Sequence, residues 1–256
     1  MLRWARMAGH GALALVLLAA IYPHLRHDRQ RSLTRWWSSK LLRILNVKVR
    51  VEGPPPSKRE RGAMIAANHV SWLDVFLISS IRPTRFIAKS EIRSWGLAGW
   101  IVARSGTLFI RRDQLRDMAR INGLVHAAIA EGDCVGLFPE GITTEGDELL
   151  RFHSALFEPA VANEAHVHAA AIRYEQPDGT LCREASFRGE RTFMESLRLI
   201  IGERAMTARI RFAPAFEPDG AHRREVAREA HRRVATLLGL AGSAPGIAAG
   251  HRAASR

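Results

Sequence analysis

Ala63-Met64-Ile65-Ala66-Ala67 runs without a polar side chain into Asn68-His69-Val70-Ser71, and Trp72-Leu73-Asp74-Val75-Phe76-Leu77-Ile78 follows directly. A short apolar run of this length reads as a buried strand, and the segment from Trp72 as the first turns of a helix. His69 then falls in the strand-to-helix turn. Along one continuous helix, His69 and Asp74 would stand about 140° apart around the axis, so the pair can meet only across such a turn. An imidazole beside a carboxylate is the minimum equipment for taking a proton from an alcohol. A second reading stays open here, because Ser71 with Asp74 three residues later also resembles a capping box that starts the helix.

Working outward, the chain alternates between elements of both kinds. Leu45 to Val51, Thr84 to Ala88, Thr107 to Arg111, Val135 to Phe138, Val167 to Arg173 and Ala208 to Phe212 read as further strands. Gln114 to Ala130, Thr192 to Ile201 and Arg223 to Leu240 read as helices. Alternation of this kind predicts an α/β domain, a mixed sheet flanked by helices. The expected organisation is a membrane-anchoring helical segment over residues 1–46, the catalytic domain over 47–240, and a disordered tail over 241–256, which is rich in Ala and Gly.

Two later segments carry polar chemistry. Gly106-Thr107-Leu108-Phe109-Ile110-Arg111-Arg112 is a strand-like run that ends in paired guanidinium groups, which hold phosphate well. Phe138-Pro139-Glu140-Gly141-Ile142-Thr143-Thr144 stops an apolar strand at Pro and opens a turn that can present Glu140 and backbone N–H groups to a polar ligand. Taken singly, each is also compatible with a solvated strand end or an ordinary turn.

In their order, Asn68 to Asp74, Gly106 to Arg112 and Phe138 to Thr144 resemble the NHxxxxD, GxxFIxR and FPEGTxS blocks of the glycerolipid acyltransferases, the lysophosphatidic acid acyltransferase family. Phe86-Ile87-Ala88-Lys89-Ser90-Glu91 is similar to a further block, and the likeness spans roughly residues 35–215. The chain departs from the family at His153, where Lys is usual, at Ala155, where Gly is usual, at Ile142, and along Val167 to Ile172, where a Pro-containing strand is usual. These departures bear on donor and acceptor preference more than on the chemistry.

The resemblance implies transfer of a fatty acyl group from a thioester to the free hydroxyl of lysophosphatidic acid, giving phosphatidic acid. Lyso-ornithine lipid or another lysolipid is the alternative acceptor. It further implies His69 as general base and Asp74 as the group that orients it, with Lys89, Arg112, Glu140 and Gly141 as substrate-binding residues. Acyl-CoA or acyl carrier protein would be the co-substrate, no metal or organic cofactor is called for, and the cytoplasmic face of the bacterial inner membrane is the expected location.

Charge and hydropathy place the chain beside a membrane rather than a nucleic acid. The net charge is +13, and residues 1–61 hold 13 Lys and Arg against three Asp and Glu. That charge flanks the apolar run from Gly11 to Tyr22, whereas no groove-reading helix or aromatic-basic sheet motif is present. Twelve helical residues reach only about 18 Å of a hydrocarbon core roughly 30 Å thick, so the run is expected to be a retained anchor that is shallow or marginally spanning. Trp36, Trp37, Leu41, Leu42 and Leu45 suggest an amphipathic second helix at the membrane, with Arg35, Lys40 and Arg43 at the headgroups. The two Cys lack any pairing pattern, which fits a reducing compartment. His166 and His168 share one strand face, but no Cys or carboxylate nearby in sequence offers a metal site.

Overall fold

The structure is a computed structural model that describes residues 1–94, 96–104, 106–110 and 115–240, and of Lys89, Leu97, Ala98, Ile101, Ile110, Leu115 and Arg116 the backbone alone. Arg111 and Arg112, the start of the helix expected from Gln114, and the tail expected over 241–256 lie outside the described residues.

Seven strands form one sheet: β1 (Val47–Glu52), β2 (Ala63–Ala67), β3 (Arg85–Lys89), β4 (Leu108–Ile110), β5 (Cys134–Leu137), β6 (His166–Glu175) and β7 (Met206–Phe212). Their spatial order is β1-β7-β6-β2-β5-β3-β4. The five strands from β6 to β4 run parallel, and β7 turns antiparallel against β6 with β1 parallel beside it. This is the mixed sheet that the alternation of elements predicts.

The helices are α1 (Leu2–Val16), α2 (His27–Ile44), α3 (Leu73–Ile81), α4 (Gly96–Arg104), α5 (Leu115–Ala130), α6 (Glu158–Ala162), α7 (Phe193–Gly202) and α8 (Arg223–Leu238). Strand β2 explains why two helical layers are needed. All five of its residues are buried, and alternation sends Ala63, Ile65 and Ala67 to one face and Met64 and Ala66 to the other. The first face packs against Leu41, Leu42, Leu73, Leu77 and Ile200 of α2, α3 and α7. The second packs against Ile121, Val125, Val226 and Val234 of α5 and α8.

The N-terminal pair departs from its expected role in one respect. Leu41, Leu42 and Leu45 are not turned to lipid: they are buried in the core with α3 and the sheet, and Arg35 donates to Ser80 O at 3.1 Å. A strand edge and a neighbouring helix offered these leucines a closer apolar surface than a bilayer does. The segment before α2 touches that core through Met7, and His10, Ala14 and Leu18 are also buried. It continues from α1 through a π-helical turn (Leu17–Ile21) and a 3-10 turn (Tyr22–His24), giving a 23-residue helical run whose most apolar 18-residue window has a mean hydropathy of 1.5, long and apolar enough to cross a membrane.

Because α2 is part of the core, Leu41→Ala is expected to cost about 2–5 kcal/mol of stability, measured by urea unfolding followed by circular dichroism. A change near zero would return α2 to the role of a detached membrane helix.

Candidate active site

The parallel strands deliver the sequence blocks to one edge of the sheet. The turn carrying His69 follows the C-terminal end of β2, Phe138 to Thr144 follows β5, Lys89 ends β3, and β4 ends at Ile110, two positions before Arg112. Carboxyl ends of neighbouring parallel strands are where open α/β sheets bind their ligands.

The turn itself is organised by Asp74, which has no exposed surface. His69 Nδ1 lies 2.8 Å from Asp74 Oδ2, and the same oxygen accepts the backbone N–H of Val70 at 2.8 Å and of Ser71 at 2.9 Å. Tyr174 Oη donates to the other oxygen, Oδ1, at 2.7 Å. Both readings of the sequence are therefore partly right. Asp74 does cap the turn, but through its own carboxylate, and the Ser71 hydroxyl has no hydrogen-bond partner. The Asp74 bond sets the proton on Nδ1 and leaves Nε2 as the nitrogen able to accept one.

The remaining groups hold the ring and backbone of His69. Its imidazole stacks on Phe138 at 4.0 Å with an 8° interplanar angle, and Phe138 stacks in turn on Phe86 at 5.8 Å. Phe86 lies so close to Gly136 that a Cβ there would fall 2.5 Å from the ring. Asn68 pairs with the backbone of β6, accepting from Ile172 N at 2.7 Å and donating to Ile172 O at 3.0 Å, which carries the β2–β6 ladder one step beyond Ala67. Thr144 N donates to His69 O and Phe187 N to Val70 O.

Glu140 is buried, and each of its carboxylate oxygens accepts one backbone N–H: Oε1 from His69 and Oε2 from Leu150, both at 2.8 Å. Burial pushes its carboxyl up from the ordinary 4.5 to about 7, against the opposing pull of those two donors. Gly141 occupies the left-handed region at φ 82°, which the turn after Pro139 requires and which few residues adopt without strain. The structure thus brings His69, Asp74, Glu140 and Gly141 together, with the Lys89 backbone at the neighbouring strand end.

Tyr174 is the residue that the sequence reading missed. Its signal was a phenol at the end of the apolar run Val167 to Ile172, because a buried hydroxyl needs a partner. Burial and the adjacent Asp74 carboxylate hold that hydroxyl well above the ordinary tyrosine range. Neither cysteine offers an alternative nucleophile, since burial pushes the thiols of Cys134 and Cys182 up to about 11. His166 and His168 do have a carboxylate partner that sequence distance concealed: both lie 2.9 Å from Glu60 Oε1, at the end of β6 away from His69. No metal-holding group of three or more His, Cys, Asp or Glu occurs among the described residues.

A mixed sheet with a His-Asp turn at the carboxyl ends of its parallel strands is the arrangement that comparison with known proteins places in a family. The acyltransferase family model matches residues 48–173. The lyso-ornithine lipid O-acyltransferase of Pseudomonas aeruginosa is 37% identical over 246 residues, covering 93% of each chain. A 1-acyl-sn-glycerol-3-phosphate acyltransferase of Neisseria gonorrhoeae is 42% identical over 135 residues, 53% of each chain. The crystal structure of the Thermotoga maritima 1-acyl-sn-glycerophosphate acyltransferase, PlsC, shares the fold with a TM-score of 0.65 at 17% identity, over 96% of this chain and all of that one. The chain belongs to the PlsC-like glycerolipid acyltransferases and acts on lysolipids.

Tyr174→Phe is expected to lower stability by about 1–3 kcal/mol, because it leaves Asp74 Oδ1 buried without a donor. An unchanged midpoint of urea unfolding would show that Oδ1 does not need the phenol. Glu140→Gln, which can accept only one of the two N–H bonds, should lower kcat with KM for the acceptor little changed. Glu140 has a higher pKa folded than unfolded, so its contribution to stability falls as pH rises from 4.5 to about 7, and thermal melts of the Gln variant should lack that component.

Proposed function

We propose that His69 and Asp74 catalyse transfer of a fatty acyl group from a thioester to the hydroxyl of a lyso-ornithine lipid. His69 Nε2 takes the hydroxyl proton as the oxygen attacks the thioester carbonyl. The carbon–sulfur bond then breaks, and the imidazolium returns the proton to the departing thiolate. Asp74 stays ionised throughout, holding the ring and stabilising its charged form, and the substrate supplies the nucleophile that a serine hydrolase supplies from its own chain.

The observation that carries the acceptor is the span of the likeness. Similarity to the Pseudomonas enzyme runs through 93% of both chains, whereas similarity to the Neisseria enzyme stops at about half. An ornithine headgroup offers a carboxylate and an ammonium in place of a phosphate. Both charges are represented beside the catalytic turn, where Arg183 lies 3.4 Å from Asp147 and Arg188 3.7 Å from Glu145. The segment from Ser186 to Arg188 is held there by the Phe187 N–H on Val70 O. Departure from the family pattern at His153 and Ala155 points the same way.

Lysophosphatidic acid is the second reading, and it is the one that the sequence blocks put first. It is favoured by the 42% identity to the Neisseria enzyme. Lys89 and Arg112 would bind the acceptor's anionic group in either case, a carboxylate in the first and a phosphate in the second. The donor is an acyl thioester, acyl-CoA or acyl carrier protein, and the apolar N-terminal helix holds the site at the cytoplasmic face of the membrane that contains the acceptor.

Membranes carrying the protein, given labelled acyl thioester and both lysolipids in competition, are expected to place label mainly in ornithine lipid. His69→Ala should reduce that rate by about 10²- to 10⁴-fold. Label mainly in phosphatidic acid would establish the second reading. Undiminished label with His69→Ala would overturn the mechanism.

A further inference from the structure

Helices α1 and α2 form a hairpin whose inner faces do not close. Between them lies a cleft of about 670 Å³, lined among others by Arg6, His10 and Leu13 of α1 and by Trp36, Lys40 and Arg43 of α2. Arg6, His10 and Leu13 recur at the spacing of one helix face, as do Trp36, Lys40 and Arg43. His10 stacks on Trp37 at 4.5 Å and fixes the register of the hairpin. That register sets Arg6 opposite Lys40 and Arg43, and Leu13 toward Trp36. The cleft is therefore cationic at one end and apolar at the other.

No Asp or Glu lines the cleft among the described residues. A further cleft, of about 600 Å³, continues beyond Arg6 toward Arg198 and Arg204, and it too has no acidic lining among the described residues. His10 supplies an independent observation. It is only 4% exposed and stacked on Trp37, whose Nε1 beside it has no hydrogen-bond partner. Buried polar groups without partners are uncommon and call for a ligand or ordered solvent. The adjoining surface exposes Leu13 and Val16 of α1 and Ile21 of the π-helical turn, a track for hydrocarbon.

We propose that this cleft binds an intact anionic phospholipid of the membrane, distinct from the acyl acceptor. Its phosphate sits among Arg6, Lys40, Arg43 and the His10 imidazole, and an acyl chain lies along Leu13 and Trp36. The site is independent of which lysolipid is acylated, since it lies between α1 and α2 and includes no residue of the His69 turn. It couples to that turn through ring contacts, Trp37 on Phe76 at 5.5 Å and Phe76 on Trp72 at 5.9 Å.

The test is flotation of the full chain with phosphatidylcholine vesicles, with and without phosphatidylglycerol. The wild-type chain is expected to bind the phosphatidylglycerol vesicles more tightly. Inorganic phosphate should compete no better than chloride at equal ionic strength. Replacing Arg6, Lys40 and Arg43 together by Gln should reduce the preference on the order of a hundredfold, at about 1 kcal/mol per contact. Gly9→Leu keeps every charge and places a side chain where a Cβ meets nothing within 4 Å, so it should fill the cleft and abolish the preference even if the triple variant fails to fold. Arg224, Arg228 and Arg232 on α8, exchanged for Gln, remove the same charge far from the cleft and should leave the preference intact. The proposal is overturned if wild type shows no preference, if Gly9→Leu retains it, if the α8 variant loses as much, or if inorganic phosphate alone displaces the lipid.

Discussion

A carboxylate with no exposed surface, satisfied by an imidazole, two backbone amides and a phenol, is the constraint around which this molecule is arranged. An ionised Asp74 at that depth would be severely penalised without those donors. These groups come from two structural decisions. The turn after β2 supplies the two amides and the imidazole, and β6 must lie beside β2 to bring Tyr174 across. Asn68 secures that neighbourhood by extending the ladder to Ile172. The geometry of the His69–Asp74 turn and the central strand pairing are thus one arrangement, which is why the site tolerates little slippage of register.

Glu140 performs the corresponding service for the backbone. It ties the His69 amide to the loop at Leu150, so the turn after β5 and the turn after β2 move as one piece. A carboxylate that faced an anionic ligand would be costly. With both oxygens committed to amides and buried, its charge is spent inside the scaffold.

Much of this was legible in the sequence because the informative patterns were local. The strand-turn-helix at Ala63 to Ile78 carries its own signals in a run of apolar residues and a polar break, and seven strands fell at their expected places. What escaped were partnerships across long stretches of chain. Tyr174 reaches Asp74 from 100 residues away, and Glu60 meets His166 and His168 from more than a hundred. The apolar face of α2 was visible as a pattern, yet its periodicity is the same whether leucines meet lipid or a sheet. Composition distinguishes these only through what else is nearby, and that is a property of the fold.

The order of the strands also governs when the protein becomes able to act during its own synthesis. β1, near the start of the chain, pairs with β7 through six residue pairs beginning at Val47 and Met206, so the far edge of the sheet stays open until almost the whole domain has been made. The turn at His69 emerges early but lacks its β6 partners until Ile172 and Tyr174 leave the ribosome. Local helices can form before that point, whereas contacts of such sequence separation must wait and carry a large loop-closure cost. A ribosome-bound fragment ending before β6 therefore contains His69 and Asp74 without the Ile172 and Tyr174 contacts that hold their turn, and its exposed strand edges are those that chaperones or the nascent helices must cover until synthesis is complete.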